Sequence, residues 1–285
     1  MSGTTIGVIG AGVMGIGIAE CFAKAGYKII LIDLSDAILK EARKRLEMSI
    51  GFSRLFQKKE EPAPDLKEIM EKITFSTDYD DVRSADFLIE NVTEKWEIKE
   101  EVHRKLEQIL QPGCKVAANT SAISITRIGS IYSDPSRVLG MHFMNPVPMK
   151  PAVEVIKGYH TSEETIAEAN ALLNGAGKEG IIVNDVPGFV SNRVLMLTIN
   201  EAIFEVQDGV ASVEDIDRIF KLCFGHKMGP LETCDLIGLD TILYSLEVLF
   251  DSYKDTKFRP CPLLQKMVDA GLHGRKSGKG FYSYE

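Results

Sequence analysis

The chain has 285 residues, 33 of them basic and 41 acidic, for a formal net charge of −8, and 45% of it is apolar. This length allows two domains, each able to bury a core. The acidic balance argues against a general nucleic-acid binder or a partner of anionic membranes, since both require basic surface. The five cysteines, Cys21, Cys114, Cys223, Cys234 and Cys261, form no CxxC and do not cluster with histidine at ligand spacing. Reduced thiols in the cytoplasm are therefore expected, and a metal site is not. No apolar run reaches the ~18 residues of a spanning helix, and the N-terminus has no basic region or cleavage site.

TTIGVIG (4–10) is a short β-branched run, GAGVMG (10–15) follows, an amphipathic stretch runs to Gly26, and YKIILID (27–33) is a second buried strand. This is the strand, glycine turn, helix and strand of a βαβ unit. Gly10, Gly12 and Gly15, with Val13 and Met14 between the last two, form GxGxxG. The first glycine allows the tight turn, the second lets backbone approach a pyrophosphate, and the third lets the helix pack close. Asp33, ending the next strand, can accept both hydroxyls of a ribose and would repel a 2′-phosphate, so NAD is expected rather than NADP. The competing reading is a structural turn with Asp33 as a helix cap.

Helical periodicity covers about 35–57, and KKEEPAPD (58–65) is a polar connection. ITFS (73–76), DFLIEN (86–91), KVAANT (115–120) and RVLGMHF (137–143) read as strands, separated by helix-like stretches such as 95–110. Such alternation predicts a doubly wound, mostly parallel sheet of Rossmann type, with ligands at the carboxyl ends of the strands. Glu90, Asn91, Thr93, Glu94, Asn119, Ser121 and His142 all lie at or just past such ends. A helix is predicted over 162–175, and EGIIVN (179–184) is a further candidate strand.

The remainder reads as helical. Asp185 and Pro187 suit the start of a long helix that Gly209 ends, and Ser212 suits the cap of another. The predicted organisation is a nucleotide-binding α/β domain over 1–185 and a smaller all-α domain over 186–285. The helical part carries enough apolar surface to suggest a homodimer, the alternative being that this surface packs on the first domain.

GMHFMNPVPMKPAVEVI (140–156) places one histidine and one glutamate either side of a proline loop. If the flanking strands are antiparallel, Pro148 is the midpoint and His142 faces Glu154. A carboxylate behind an imidazole fixes its tautomer and stabilises its cation, attracting it by roughly 4 kcal/mol at about 4 Å in an effective dielectric near 20. Such a histidine can take a proton from an alcohol. A structural ion pair is the alternative.

With these motifs the chain resembles the L-3-hydroxyacyl-CoA dehydrogenases, of the short bacterial 3-hydroxybutyryl-CoA type, over nearly its whole length. The resemblance rests on GAGVMG, NTSAIS (119–124), MHFMNPVP (141–148), VEVI (153–156), DVPGFVSNRV (185–194), MGPLETCDLIGLD (228–240) and GRKSGKGFY (274–282). It implies His142 as acid/base with Glu154 as partner, Ser121 and Asn192 near the reacting oxygen and thioester, and cofactor contacts from Asp33, Glu94, Lys99, Asn145 and Lys276. It also implies an acyl-CoA substrate and dimerisation through the C-terminal domain. Two departures stand out. ENVTE (90–94) is polar at Asn91 and Thr93, which fits either a more polar acyl group or a loop change without consequence for the substrate. SRLFQKKEEPAPD (53–65) offers Arg54, Lys58 and Lys59 to a phosphate but dilutes them with Glu60, Glu61 and Asp65, which leaves a carrier-protein thioester open. Two other readings are a dehydrogenase of a free hydroxy acid and a non-catalytic, crystallin-like NAD-binding protein.

Overall fold

The computed structural model describes residues 3–55 and 65–284. The chain forms two compact units, residues 1–185 and 186–285. In the first, the chain runs β1 (Thr5–Ile9), α1 (Val13–Lys24), β2 (Lys28–Ile32), α2 (Asp36–Leu55), α3 (Leu66–Glu71), β3 (Ile73–Ser76), β4 (Phe87–Glu90), α4 (Trp96–Ile109), β5 (Lys115–Ala118), α5 (Ile125–Gly129), β6 (Val138–His142), β7 (Ala152–Lys157), α6 (Glu163–Gly175) and β8 (Glu179–Asn184).

The strands form one eight-stranded sheet in the order β3-β2-β1-β4-β5-β6-β7-β8. Every pairing is parallel except that of β6 with β7. Parallel strands covered on both faces need near-continuous apolar runs. Ile6, Val8, Ile29, Leu31, Phe87, Ile89, Val116 and Leu139 meet that need and are buried. Each contributes about 1.5–3 kcal/mol by leaving water. The strand order reverses between β1 and β4, so their carboxyl ends open the crevice that such sheets use for ligands. The sequence-predicted doubly wound sheet is what the chain adopts, with 179–184 as its last strand.

The helical second unit comprises α7 (Ser191–Gln207), α8 (Val213–Phe224), α9 (Pro230–Ile237), α10 (Leu239–Tyr253) and α11 (Pro262–Asp269). Met196, Ile199, Ile203, Leu231, Leu246, Phe258 and Leu264 belong to its core. Two buried carboxylates fasten the glycine-rich tail. Asp235 accepts from the Phe281 and Tyr282 amides at 2.9 and 2.8 Å, and Asp217 accepts from the Tyr282 hydroxyl at 2.8 Å. No helix among the described residues is long and apolar enough to cross a membrane.

One helix start differs from the sequence expectation. α7 begins at Ser191, because Gly188 and Phe189 hold φ of 78° and 48°, a conformation no right-handed helix accommodates. Asp185 instead caps α5: its carboxylate accepts from Ser124 Oγ at 2.8 Å and from the Ile125 and Thr126 amides at 3.1 and 2.7 Å. These are otherwise unpaired donors of a helix N-terminus.

Candidate active site

The turn after β1 is shaped by its glycines. Gly10 has φ 94°, and a Cβ there would stand 2.9 Å from the Asn91 carbonyl oxygen. A Cβ on Gly15 would lie 1.8 Å from the Gly10 carbonyl oxygen, so the helix can leave the strand only with glycine at this position. Gly12 differs: a Cβ there meets nothing within 4 Å. Protein packing therefore does not require glycine at position 12, whereas close approach of a ligand to the backbone would. α1 starts here without a side-chain cap and with no acidic residue in its first turn. Its leading amides and dipole thus suit an anion. Val13 is exposed and Met14 half-buried beside them. Asp33 stands just past β2, with Oδ2 accepting from the Ala11 amide at 2.6 Å and Oδ1 from the Leu34 amide at 2.6 Å. A carboxylate thus anchored to the glycine turn keeps lone pairs for ribose hydroxyls. These residues fit a dinucleotide.

Three strands further along the sheet, about 14 Å at ~4.8 Å per spacing, β6 ends in His142. The antiparallel register pairs Gly140 with Ile156, Met141 with Val155 and His142 with Glu154. His142 Nδ1 lies 2.8 Å from Glu154 Oε2, and both residues are buried. An ionised carboxylate only accepts, so Nδ1 carries the hydrogen. Nε2 is left facing Ser121 Oγ at 3.1 Å, and the ring presents a basic nitrogen at the strand end.

Glu94 holds the turn that carries Ser121. Its Oε1 accepts from Thr120 Oγ1 at 2.5 Å and from the Ser121 and Ala122 amides at 2.9 and 3.1 Å. Asn119 ties three strand ends together: Nδ2 donates to Asn91 Oδ1 at 2.9 Å and Oδ1 accepts from the Phe143 amide at 3.2 Å. Asn145 is exposed two residues on, ahead of a 3₁₀ turn, Val147–Met149. Lys178, missed from sequence, braces that turn by donating to the Val147 and Lys150 carbonyls at 2.7 and 2.6 Å.

Other polar residues around the crevice pair within the protein. Lys99 is fully buried, and its ammonium is spent on Glu90 at 2.9 Å and the Asn119 carbonyl at 3.2 Å. The ammonium also stands 3.7 Å from Glu94 Oε2. Glu90 itself is held below the ordinary carboxylate range: burial pushes it up, but the Lys99 charge and the His103 and Lys99 hydrogen bonds outweigh that. Asn91 spends its amide nitrogen on the Ile89 carbonyl at 3.0 Å and its oxygen on Asn119, so its polarity serves the protein rather than an acyl group. Lys58 lies outside the described residues. Asn192 and Lys276 belong to the second unit, Asn192 in the first turn of α7 and Lys276 exposed with its ammonium 2.6 Å from Asp240 Oδ2.

Two family models cover the chain: 3-hydroxyacyl-CoA dehydrogenase, NAD binding domain, over residues 5–186, and 3-hydroxyacyl-CoA dehydrogenase, C-terminal domain, over 188–284. A Bacillus subtilis protein named "Probable 3-hydroxybutyryl-CoA dehydrogenase" is 45% identical over 98% of this chain and 96% of its own. One of the same name from Deinococcus radiodurans is 46% identical over 98% and 99%. The crystal structure of a Ralstonia eutropha (S)-3-hydroxybutyryl-CoA dehydrogenase superposes with a TM-score of 0.94, at 41% identity and 99% coverage of both chains. A glycine turn shaped for a dinucleotide, a carboxylate-backed histidine on the same sheet, and full-length similarity lead to one conclusion: the chain belongs to the 3-hydroxyacyl-CoA dehydrogenase family.

Proposed function

We propose that this NAD-dependent dehydrogenase interconverts short 3-hydroxyacyl-CoA thioesters, of the 3-hydroxybutyryl-CoA kind, with their 3-oxoacyl counterparts. The observation that carries the proposal is the chain Glu154–His142–Ser121, with links of 2.8 and 3.1 Å at the carboxyl ends of β5 and β6. Bound NAD supplies the hydride acceptor, or in reduction the donor. His142 Nε2 takes the proton of the substrate hydroxyl as the C3 hydride departs, and the ring cation that results faces Glu154. In reduction the same nitrogen returns the proton to the developing alkoxide. The Ser121 hydroxyl orients the reacting oxygen against the ring. Glu94 sets Ser121 through two backbone amides, which makes it a positioning residue as well as a candidate cofactor contact, like Asn145. Asn192 and Lys276 keep the roles that the family resemblance implies.

The second unit exposes Ile219 and Leu222 on α8 at 49% and 76%, three residues apart and so on one face of the helix. Large apolar side chains side by side on a surface favour a protein contact, which supports a homodimer through this unit. A cytoplasmic setting, in which the five free cysteines stay reduced, completes the reading.

The test is NADH oxidation across 3-oxoacyl thioesters of increasing length, on CoA and on a carrier protein, with the free acids as controls. Short CoA thioesters should be turned over best. Turnover of the free acids alone would sink the proposal.

A further inference from the structure

Beneath the site lies a buried group that the chemistry above does not use. His103 stands one turn after Lys99 on α4, so both side chains leave the same face of the helix and meet Glu90 at the end of β4. His103, Lys99 and Glu90 all have 0% exposure. The Glu90 carboxylate takes the Lys99 ammonium at 2.9 Å on each oxygen and His103 Nε2 at 3.1 Å on Oε2. On the other side of the ring, the Tyr132 hydroxyl lies 2.8 Å from His103 Nδ1. A buried carboxylate must have its lone pairs met. The Val92 amide meets Oε1 at 2.5 Å, so without His103 it is Oε2 that would be left to the Lys99 ammonium alone, drawing it onto Glu90. With His103 holding Oε2, Lys99 also reaches the Asn119 carbonyl at 3.2 Å and comes within 3.7 Å of Glu94 Oε2. Asn119 and Glu94 are the two anchors of the turn that sets Ser121 Oγ 3.1 Å from His142 Nε2.

We propose that His103 is a positioning residue of the dehydrogenase site: by holding Glu90 it keeps Lys99 shared with Asn119 and Glu94, and so fixes the Ser121 turn against His142. The proposal rests on the reading above that Ser121 and His142 face the reacting oxygen.

Comparison of His103→Gln with His103→Asn tests it. The glutamine amide nitrogen reaches as far as ring Nε2 and can donate to Glu90; the asparagine nitrogen reaches only as far as Nδ1. Two readouts are needed: hydrogen exchange in a peptide spanning 119–123, measured without substrate, and kcat per NADH-binding site with acetoacetyl-CoA. The glutamine variant should stay within about threefold of wild type in both. The asparagine variant should exchange the Ser121 and Ala122 amides about tenfold faster and lose about tenfold in kcat per site, with KM for the thioester little changed, as expected for one lost hydrogen bond to a charged group. Should the asparagine variant not fold, Tyr132→Phe frees the ring at Nδ1 alone and should speed the same amides by about threefold. Equal exchange and equal kcat per site in the two His103 variants, or unchanged exchange in Tyr132→Phe, overturns the proposal. Faster exchange in the asparagine variant of a protein whose wild type turns over no 3-oxoacyl thioester would keep the link from His103 to the turn and bring down the dehydrogenase reading instead.

Discussion

His142 and Glu154 face each other across an antiparallel strand pair, Nδ1 to Oε2 at 2.8 Å, both side chains nearly closed to water. At such burial the carboxylate does more than it would on a surface, because little solvent competes for the imidazole hydrogen. His142→Gln should abolish turnover. Glu154→Gln, which keeps the shape but loses the charge, should lower kcat by about 10²–10⁴-fold. NADH affinity, followed by fluorescence titration, should hold in both. Retained turnover in His142→Gln would remove this ring from the mechanism.

The glycine turn separates stability from binding. A Cβ on Gly15 would collide with the Gly10 carbonyl at 1.8 Å, whereas one on Gly12 meets nothing within 4 Å. Gly15→Ala should therefore lower the thermal midpoint sharply or prevent folding. Gly12→Ala should melt like wild type yet bind NADH at least about tenfold more weakly, since the methyl occupies the approach to the backbone. A Gly12→Ala protein with unaltered NADH affinity would count against the site.

Asp33 is held by the Ala11 and Leu34 amides at 2.6 Å each. Asp33→Ala should weaken NADH and narrow the preference for NADH over NADPH in kcat/KM by about tenfold or more, as a carboxylate that repels a 2′-phosphate is removed. Unchanged selectivity would place the ribose elsewhere.

Glu107 offers a pH test of stability. Burial pushes its carboxyl up, but the Ser133 hydroxyl and amide, then Arg137, outweigh that and hold it below its ordinary value of 4.5. A carboxyl depressed in the folded state contributes stability above its unfolded pKa and loses it as pH falls through the folded one. Glu107→Gln should therefore lower the melting temperature at pH 7 by several degrees, and the gap to wild type should close as pH drops below about 4.5. A gap independent of pH would mean that packing, not charge, is what Glu107 contributes.

For the homodimer, Leu222→Glu on α8 should shift sedimentation toward the monomer without loss of helical signal. A variant that sediments like wild type would exclude this face as the contact.

The elements that carry the dinucleotide were readable because their signals are local. GAGVMG needs only its neighbours to become a turn, and the run from Thr4 to Asp33 alternates strand and helix within one stretch of chain. The His142–Glu154 pair was readable for a similar reason: a hairpin's register follows from the length of its loop. Lys99 shows where this ends. Its motif position implies a cofactor contact, and its ammonium also pairs with Glu90, whose burial depends on β1 and β5 closing on β4. Nothing near residue 99 announces that. Only the helical spacing of His103 from Lys99, which sets both on one face toward Glu90, is local enough to show in the sequence.

Asp185 makes the same point at longer range. Beside Pro187 it reads as a helix start, yet it caps α5, sixty residues earlier, because β7 and β8 deliver it there. By itself the sequence determined the strand–turn–helix alternation, the dinucleotide turn, the division near residue 185 and the histidine opposite a glutamate. Only the tertiary structure decided which buried charges pair, since the partner of a desolvated group is whichever residue the packed sheet and helices bring within reach, and that distance is not written along the chain.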